Sequence, residues 1–172
     1  MRKLLLPLLF GFFFIFESLF VQYMPSEAFG RPMILVPHFL LSAILFLSIF
    51  GSRKHGIIYG IVFGLLFDVV YTEIIGIYLF MFPVAAYFVA KMMRILHANI
   101  FIASMITLIS IAFVEIGVYE MNLLIHVTDL SFVNFIQMRF YPTLLLNLAF
   151  IIVAAYPLKR HFEKLSEELG SE

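Results

Sequence analysis

The sequence predicts an all-α bundle of about six transmembrane helices, and three observations lead to this fold class. Of its 172 residues, 63% are hydrophobic and only 13% are charged, against roughly a quarter charged in soluble domains. A soluble domain of this size has too little interior to hide so many apolar side chains, so lipid is the suitable solvent. The apolar residues also form long runs, between which Lys and Arg gather.

Composition also excludes several classes of function. The formal net charge is zero, so no general electrostatic attraction to nucleic acid is expected. The chain has no cysteine, which excludes disulfides, thiolate metal sites and a cysteine nucleophile.

A membrane-spanning helix needs about 20 mostly apolar residues. The first span follows Met1-Arg2-Lys3, and no small-x-small cleavage site comes after it, so we expect an uncleaved span rather than a signal peptide. The third and fourth spans are short and joined by residues 72–75, which predicts a tight helical hairpin or helices that extend into the flanking residues. The predicted single transmembrane domain, residues 1–172, has spans at 4–23, 34–50, 56–71, 76–90, 99–121 and 142–157 and a cytoplasmic tail at 158–172.

The basic residues predict that both termini are cytoplasmic. Cytoplasmic loops carry an excess of Lys and Arg, and with six spans nine of the eleven basic residues fall on that side. Five or seven spans would scatter them across both faces. The inner residues are Arg2, Lys3, Arg53, Lys54, Lys91, Arg94, Lys159, Arg160 and Lys164, and the outer ones are Arg31 and Arg139.

The segment 122–141 is the longest one expected on the outer side, and it is largely apolar. Asp129 or Ser131 could cap a helix that begins there. We expect an interfacial helix that leads into a span bent at Pro142. After the last span, apolar residues recur at helical spacing, so the helix is expected to continue into the tail.

The most regular pattern is a stripe of glycines in the third span, Gly56, Gly60 and Gly64, followed by Asp68. Glycine at four-residue spacing lets another helix backbone approach closely. The stripe therefore predicts either a packing groove within this chain or a docking face for a separate protein.

Acidic residues within the spans predict a polar cluster in the outer half of the membrane. Glu17, Asp68 and Glu115 lie in apolar runs, with Glu120 near an end, and Arg139 reaches the same level. Because a carboxylate facing lipid is costly, we expect at least two acids to converge and Arg139 to neutralise one. Such a cluster could be a buried ion pair that fixes helix register, the wall of a binding cavity, or a proton relay.

No pattern of catalytic, cofactor-binding or metal-ligating residues is found in the sequence. The histidines, His38, His55, His97, His126 and His161, lack the spacing of a zinc pair on a helix, and His55 and His97 are expected at the cytoplasmic interface. Neither a Gly-x-Ser-x-Gly motif nor a P-loop occurs. An intramembrane enzyme with paired carboxylates is the weakest hypothesis.

The glycine stripe and its surroundings resemble a known family. The stretch 54–68, KHGIIYGIVFGLLFD, followed by Tyr71-Thr72 and residues 76–78, resembles the core motif of the MreD family of rod shape-determining membrane proteins. Three further stretches resemble its form in Gram-positive, Bacillus-like bacteria, and the last adds Asn147 to the polar cluster. They are Glu17-Ser18, residues 37–41, and residues 139–143 with Asn147.

The resemblance implies a non-enzymatic scaffold or regulator of the cell-wall elongation complex in the bacterial cytoplasmic membrane. The implied partner is the bitopic protein MreC and, through it, MreB, RodA and a class B penicillin-binding transpeptidase. Family members also resemble the six-helix substrate-binding subunits of energy-coupling-factor transporters. A small-molecule- or lipid-binding transporter subunit therefore stays open as the alternative function.

Overall fold

The computed structural model describes residues 2–24, 33–72, 74–96 and 99–170, and within these ranges it contains helices and no strand. Five of the helices are long and apolar enough to cross a bilayer, and a shorter apolar helix accompanies them. The chain is therefore an all-α, multi-pass membrane protein, as predicted. The helices are α1 (Arg2–Tyr23), α2 (Phe39–Phe46, continued as a π-helix over Leu47–Gly51), α3 (Arg53–Tyr71), α4 (Ile77–Leu96), α5 (Ile100–Leu124) and α6 (Phe132–Phe135, Ile136–Phe140 and Tyr141–Gly170 without a break).

The short helix α2 forms the centre of the bundle. Every residue from Phe39 to Leu47 is at most 4% exposed, because the run FLLSAILFLSIF is apolar on all sides and such a helix belongs in an interior. The other helices bury one face and leave apolar side chains exposed on the other, for example Leu8 on α1 and Val153 on α6. Those exposed faces are suited to contact with lipid.

The predicted span 34–50 is helical only from Phe39 onward, because residues 33–38 are not helical. Pro37 lacks an N–H and disfavours helical geometry at the residue before it. The 8 α-helical and 5 π-helical residues of α2 rise only about 20 Å, short of the hydrocarbon core of about 30 Å. The six residues before the helix add up to about 20 Å if fully extended, so segment and helix together are long enough to cross.

The helices α3 and α4 pack closely against each other through the glycine stripe. A Cβ atom on Gly60 would lie 3.1 Å from the backbone nitrogen of Pro83, and one on Gly64 would meet the carbonyl oxygen of Tyr78. Such contacts require the two backbones to touch, which a side chain would prevent.

The first glycine of the stripe, Gly56, faces α2 instead. A Cβ atom there would meet the hydroxyl oxygen of Ser48 and lie 3.1 Å from its Cα. Ser48 belongs to the π-helical end of α2, and its hydroxyl donates to the carbonyl of Ile44. The stripe is thus filled by the chain's own helices, which favours the interpretation as an internal packing groove.

The last helix, α6, joins the expected interfacial helix, the last span and the tail without a break. Ser131 caps its start by accepting a hydrogen bond from the backbone N–H of Asn134. A π-helical turn over Ile136–Phe140 lies just before Pro142, and the helix then runs to Gly170. Near its end Phe162 is fully buried and stacks on Phe10 of α1 with ring centroids 6.4 Å apart.

We predict that Gly64→Ala lowers the free energy of unfolding by about 1–3 kcal/mol, the usual cost of overpacking. The new methyl group would meet the Tyr78 carbonyl oxygen, so α3 and α4 must separate. Denaturant titration in mixed micelles measures the effect. Gly11→Ala is the control, because nothing lies within 4 Å of a Cβ atom at Gly11. Equal stability of the two variants would contradict the close helix contact.

Candidate functional site

The candidate site surrounds residues 33–38, called here the extended segment. Its backbone N–H and C=O groups are not paired within a helix, and neighbouring residues belong to α1 and α6. Hydrocarbon offers no water to satisfy such groups, so irregular backbone at membrane depth is tolerated where protein groups take the place of water. The partners of this backbone therefore define the site.

Two side chains on one face of α6 bond to the extended segment. Thr143 Oγ1 accepts from the N–H of Val36 at 3.1 Å. Asn147 Oδ1 accepts from the N–H of His38 at 2.7 Å, and its amide nitrogen donates to the carbonyl of Val36 at 2.9 Å. Four residues along a helix rise about 6 Å, close to the advance of two extended residues. The spacing of Thr143 and Asn147 thus matches that of Val36 and His38.

Pro142 leaves the carbonyl of Met138 free to bond to the extended segment. A proline has no N–H, so the carbonyl of Met138 cannot make the usual helical hydrogen bond to residue 142. That carbonyl instead accepts from the N–H of Ile34 at 2.7 Å. Alternate N–H groups of the extended segment, at residues 34, 36 and 38, are therefore all bonded to α6.

Glu17 of α1 lies at the start of α2. Its Oε1 accepts from the backbone N–H of Leu40 at 2.8 Å, and the side chain is only 3% exposed. His38, the residue at the N-cap of α2, makes no side-chain capping bond. Glu17 thus supplies from another helix the acceptor that a capping residue normally provides, near the positive end of the helix dipole.

A three-residue network joins the segment to α5. Glu115 is fully buried, and its Oε1 lies 2.7 Å from His38 Nε2. The guanidinium of Arg139 donates to Glu115 through Nε at 2.9 Å and through Nη2 at 3.4 Å. The structure thus pairs Arg139 with one of the span acids, the neutralisation that the sequence analysis expected.

Asp68 has a separate environment at the start of α4. Its carboxylate accepts from the N–H groups of Gly76, Tyr78 and Leu79 at 2.8–2.9 Å, and the side chain is fully buried. Gly76 adopts φ 131°, a left-handed conformation that glycine adopts easily, and this places its N–H beside the carboxylate. In the described part of the chain no hydrogen bond joins Asp68 to Glu17, Glu115, Arg139 or Asn147.

The fourth acidic residue of the predicted cluster, Glu120, is exposed on α5. Arg31 and His97 lie outside the described residues, as does Glu73 of the predicted hairpin turn. Sequence reasoning missed His38 as a partner of Glu115. Its position after Pro37, at the head of an apolar run, was the available indication.

The chain itself engages the carboxylates of Glu115 and Asp68. Glu115 bonds to a guanidinium and an imidazole, and Asp68 to three N–H groups. Among the described residues, no group of three His, Cys, Asp or Glu side chains is placed to hold a metal ion.

Two comparisons place the chain among known proteins. The family model described as rod shape-determining protein MreD matches residues 1–165. The rod shape-determining protein MreD of Bacillus subtilis (strain 168) is 34% identical over 172 residues, which is 100% of both chains. No solved structure matches the chain significantly, so the likeness to energy-coupling-factor subunits stays a prediction.

We predict that Asn147→Ala destabilises the protein, because it leaves the His38 N–H and the Val36 carbonyl unpaired in the interior. Each stranded group costs about 1–3 kcal/mol. Denaturant titration in mixed micelles measures the loss, with the exposed Asn134→Ala as the matched control. A variant as stable as the control would show that the segment does not depend on α6.

Arg139→Leu is predicted to cost about 3–5 kcal/mol, because removing one partner strands the buried charge of Glu115. The double variant Arg139→Leu/Glu115→Leu should recover part of this loss, since neither charge then remains. Thermal unfolding in detergent compares the three proteins. An unchanged melting temperature for Arg139→Leu would mean that Glu115 does not depend on the guanidinium.

Proposed function

This chain belongs to the MreD family of rod shape-determining proteins, and from that premise we propose that it is a non-enzymatic membrane scaffold of the cell-wall elongation complex. The observation that carries the proposal is the match with MreD of Bacillus subtilis over the whole length of both chains. The match includes every transmembrane helix rather than a single motif. A role in determining rod shape is therefore the starting point, and the scaffold function is our extension of it.

The use of the buried polar residues supports a scaffold rather than an enzyme. Asp68 holds the start of α4, Asn147 holds the extended segment, and Glu115 joins α5 to α6 through Arg139. Each group has a structural partner. A scaffold needs such fixed helix positions to present a constant surface, whereas an acid–base catalyst needs a group free to exchange protons with a substrate.

We further propose that the chain lies in the bacterial cytoplasmic membrane with both termini in the cytoplasm. The basic side chains support this orientation, because several meet at one end of the bundle. The guanidinium of Arg53 stacks over Tyr87 at 4.4 Å, and Lys159 lies 5.4 Å from the ring centre of Phe50. Basic residues favour the cytoplasmic face.

The proposed direct partner is an MreC-like bitopic protein, which would connect the chain to MreB, RodA and a class B penicillin-binding transpeptidase. Its membrane helix cannot use the stripe at Gly56, Gly60 and Gly64 without displacing α2 and α4, whose atoms already fill it. A partner helix would therefore replace lipid on one of the exposed apolar faces instead.

A ligand-binding transporter subunit is the alternative function, and the geometry reduces the number of residues that could bind its ligand. Of the residues first assigned to the pocket, Asp68, Glu115 and Arg139 are engaged by the chain itself. Of the three acids in this set, Glu17 alone retains a carboxyl oxygen without a hydrogen-bond partner in the described part of the chain. Any ligand site in the outer half would centre on this residue.

The proposal predicts that the tagged chain restores rods in Bacillus subtilis cells depleted of their own MreD and co-purifies an MreC-like protein from native membranes. Microscopy and proteomics measure the two results. Gly64→Leu should give round cells because α3 and α4 cannot pack, while Gly11→Ala should behave as the unmodified chain. If cells that carry the unmodified chain stayed round although it inserts normally into the membrane, the scaffold function would be contradicted. Recovery of transporter ATPases instead of an MreC-like protein would contradict it as well.

A further inference from the structure

A cavity of about 420 Å³ lies beside Glu17. Its lining comes from α1, the extended segment and the adjoining ends of α3 and α4. Most of the wall is apolar, and a few polar groups interrupt it, which is the usual composition of a small-molecule site. The residues that matter here are Glu17, Ser18, Val36, Phe67, Thr72 and Tyr78.

Glu17 is incompletely satisfied in this wall. Its Oε1 is engaged by the N–H of Leu40, but Oε2 is buried and has no hydrogen-bond partner among the described residues. A buried polar atom without a partner is costly, and more so for a carboxylate. The cavity offers space for a group that could supply the missing hydrogen bond.

The charges around the three span acids indicate what kind of group could bond to Glu17 Oε2. Glu115 is paired with Arg139 and bonded to His38, and Asp68 receives three N–H donors. No cationic side chain in the described part of the chain forms a salt bridge with Glu17. An intramembrane acid usually faces a partner of opposite charge or a cavity, and Glu17 faces a cavity.

We propose that this cavity binds a small, largely apolar molecule that carries an ammonium group, and that the ammonium pairs with Glu17 Oε2. An ammonium has three N–H donors and no acceptor. Besides the carboxylate, the same wall carries the hydroxyl of Thr72, which donates to the carbonyls of Asp68 and Ile74 and keeps lone pairs with which it can accept. The apolar body of the molecule would lie against Val36 and Phe67. This proposal does not depend on the scaffold function.

Carbodiimide labelling tests whether the cavity reaches Glu17 without requiring a variant. Dicyclohexylcarbodiimide modifies carboxyl groups that it can reach from apolar surroundings, and peptide mass spectrometry locates the product. In the full chain in detergent, we expect several-fold more modification of Glu17 than of Asp68 or Glu115, whose oxygens are engaged. Absence of the product at Glu17, or equal modification of all three, would overturn the proposal.

Thermal stabilisation then tests the ammonium group. Tryptamine should raise the melting temperature of the unmodified chain and of the Glu120→Gln control, and Glu17→Gln should abolish this shift. Indole-3-propionic acid, of similar size but opposite charge, should not stabilise the unmodified chain. Equal stabilisation by amine and acid, or an unchanged shift in Glu17→Gln, would overturn the assignment of an ammonium ligand.

Discussion

The structure depends on satisfying the non-helical backbone of residues 33–38 inside an apolar bundle. A peptide group in hydrocarbon has no water to bond with, so each unpaired N–H or C=O would cost several kcal/mol. The N–H groups of Ile34, Val36 and His38 all bond to α6. In return, the segment ties that helix to the start of the central helix α2. The requirement of one irregular stretch thus fixes the relative positions of several helices.

The three buried span acids are accommodated in two different ways. Glu17 and Asp68 lie at the starts of α2 and α4, where free N–H groups and the helix dipole favour negative charge. Glu115 lies within the length of α5 and is paired with Arg139 instead. Of the three acids, one is thus paired with an arginine, and the other two accept hydrogen bonds from backbone N–H groups at helix starts.

Hydropathy predicted most of the fold because long apolar runs become helices in lipid almost regardless of their detail. It did not distinguish the non-helical residues 33–38 from the helix that follows, because an apolar run has no periodicity that separates extended backbone from buried helix. The pairing of Arg139 with one of the span acids followed from the cost of burying a charge, but the sequence did not indicate that the partner is Glu115. The role of Asp68 could not be predicted in this way. Asp68 accepts from N–H groups at the start of α4, and the position of that start relative to Asp68 depends on the turn at Gly76. The link between His38 and Glu115 spans 77 positions, a separation that no local pattern reports.

The packing also constrains where a partner can act. The glycine stripe and most of the span acids are used within the chain, so partner contacts are left to the exposed apolar faces. One such face is on α1, where Leu8, Phe12 and Ile15 are at least 60% exposed. The same helix carries Glu17, which bonds to the start of α2 and lines the cavity. A molecule in that cavity would touch α1, the extended segment and the ends of α3 and α4 together. Occupancy of the cavity and the position of this lipid-facing surface would then be physically coupled through Glu17.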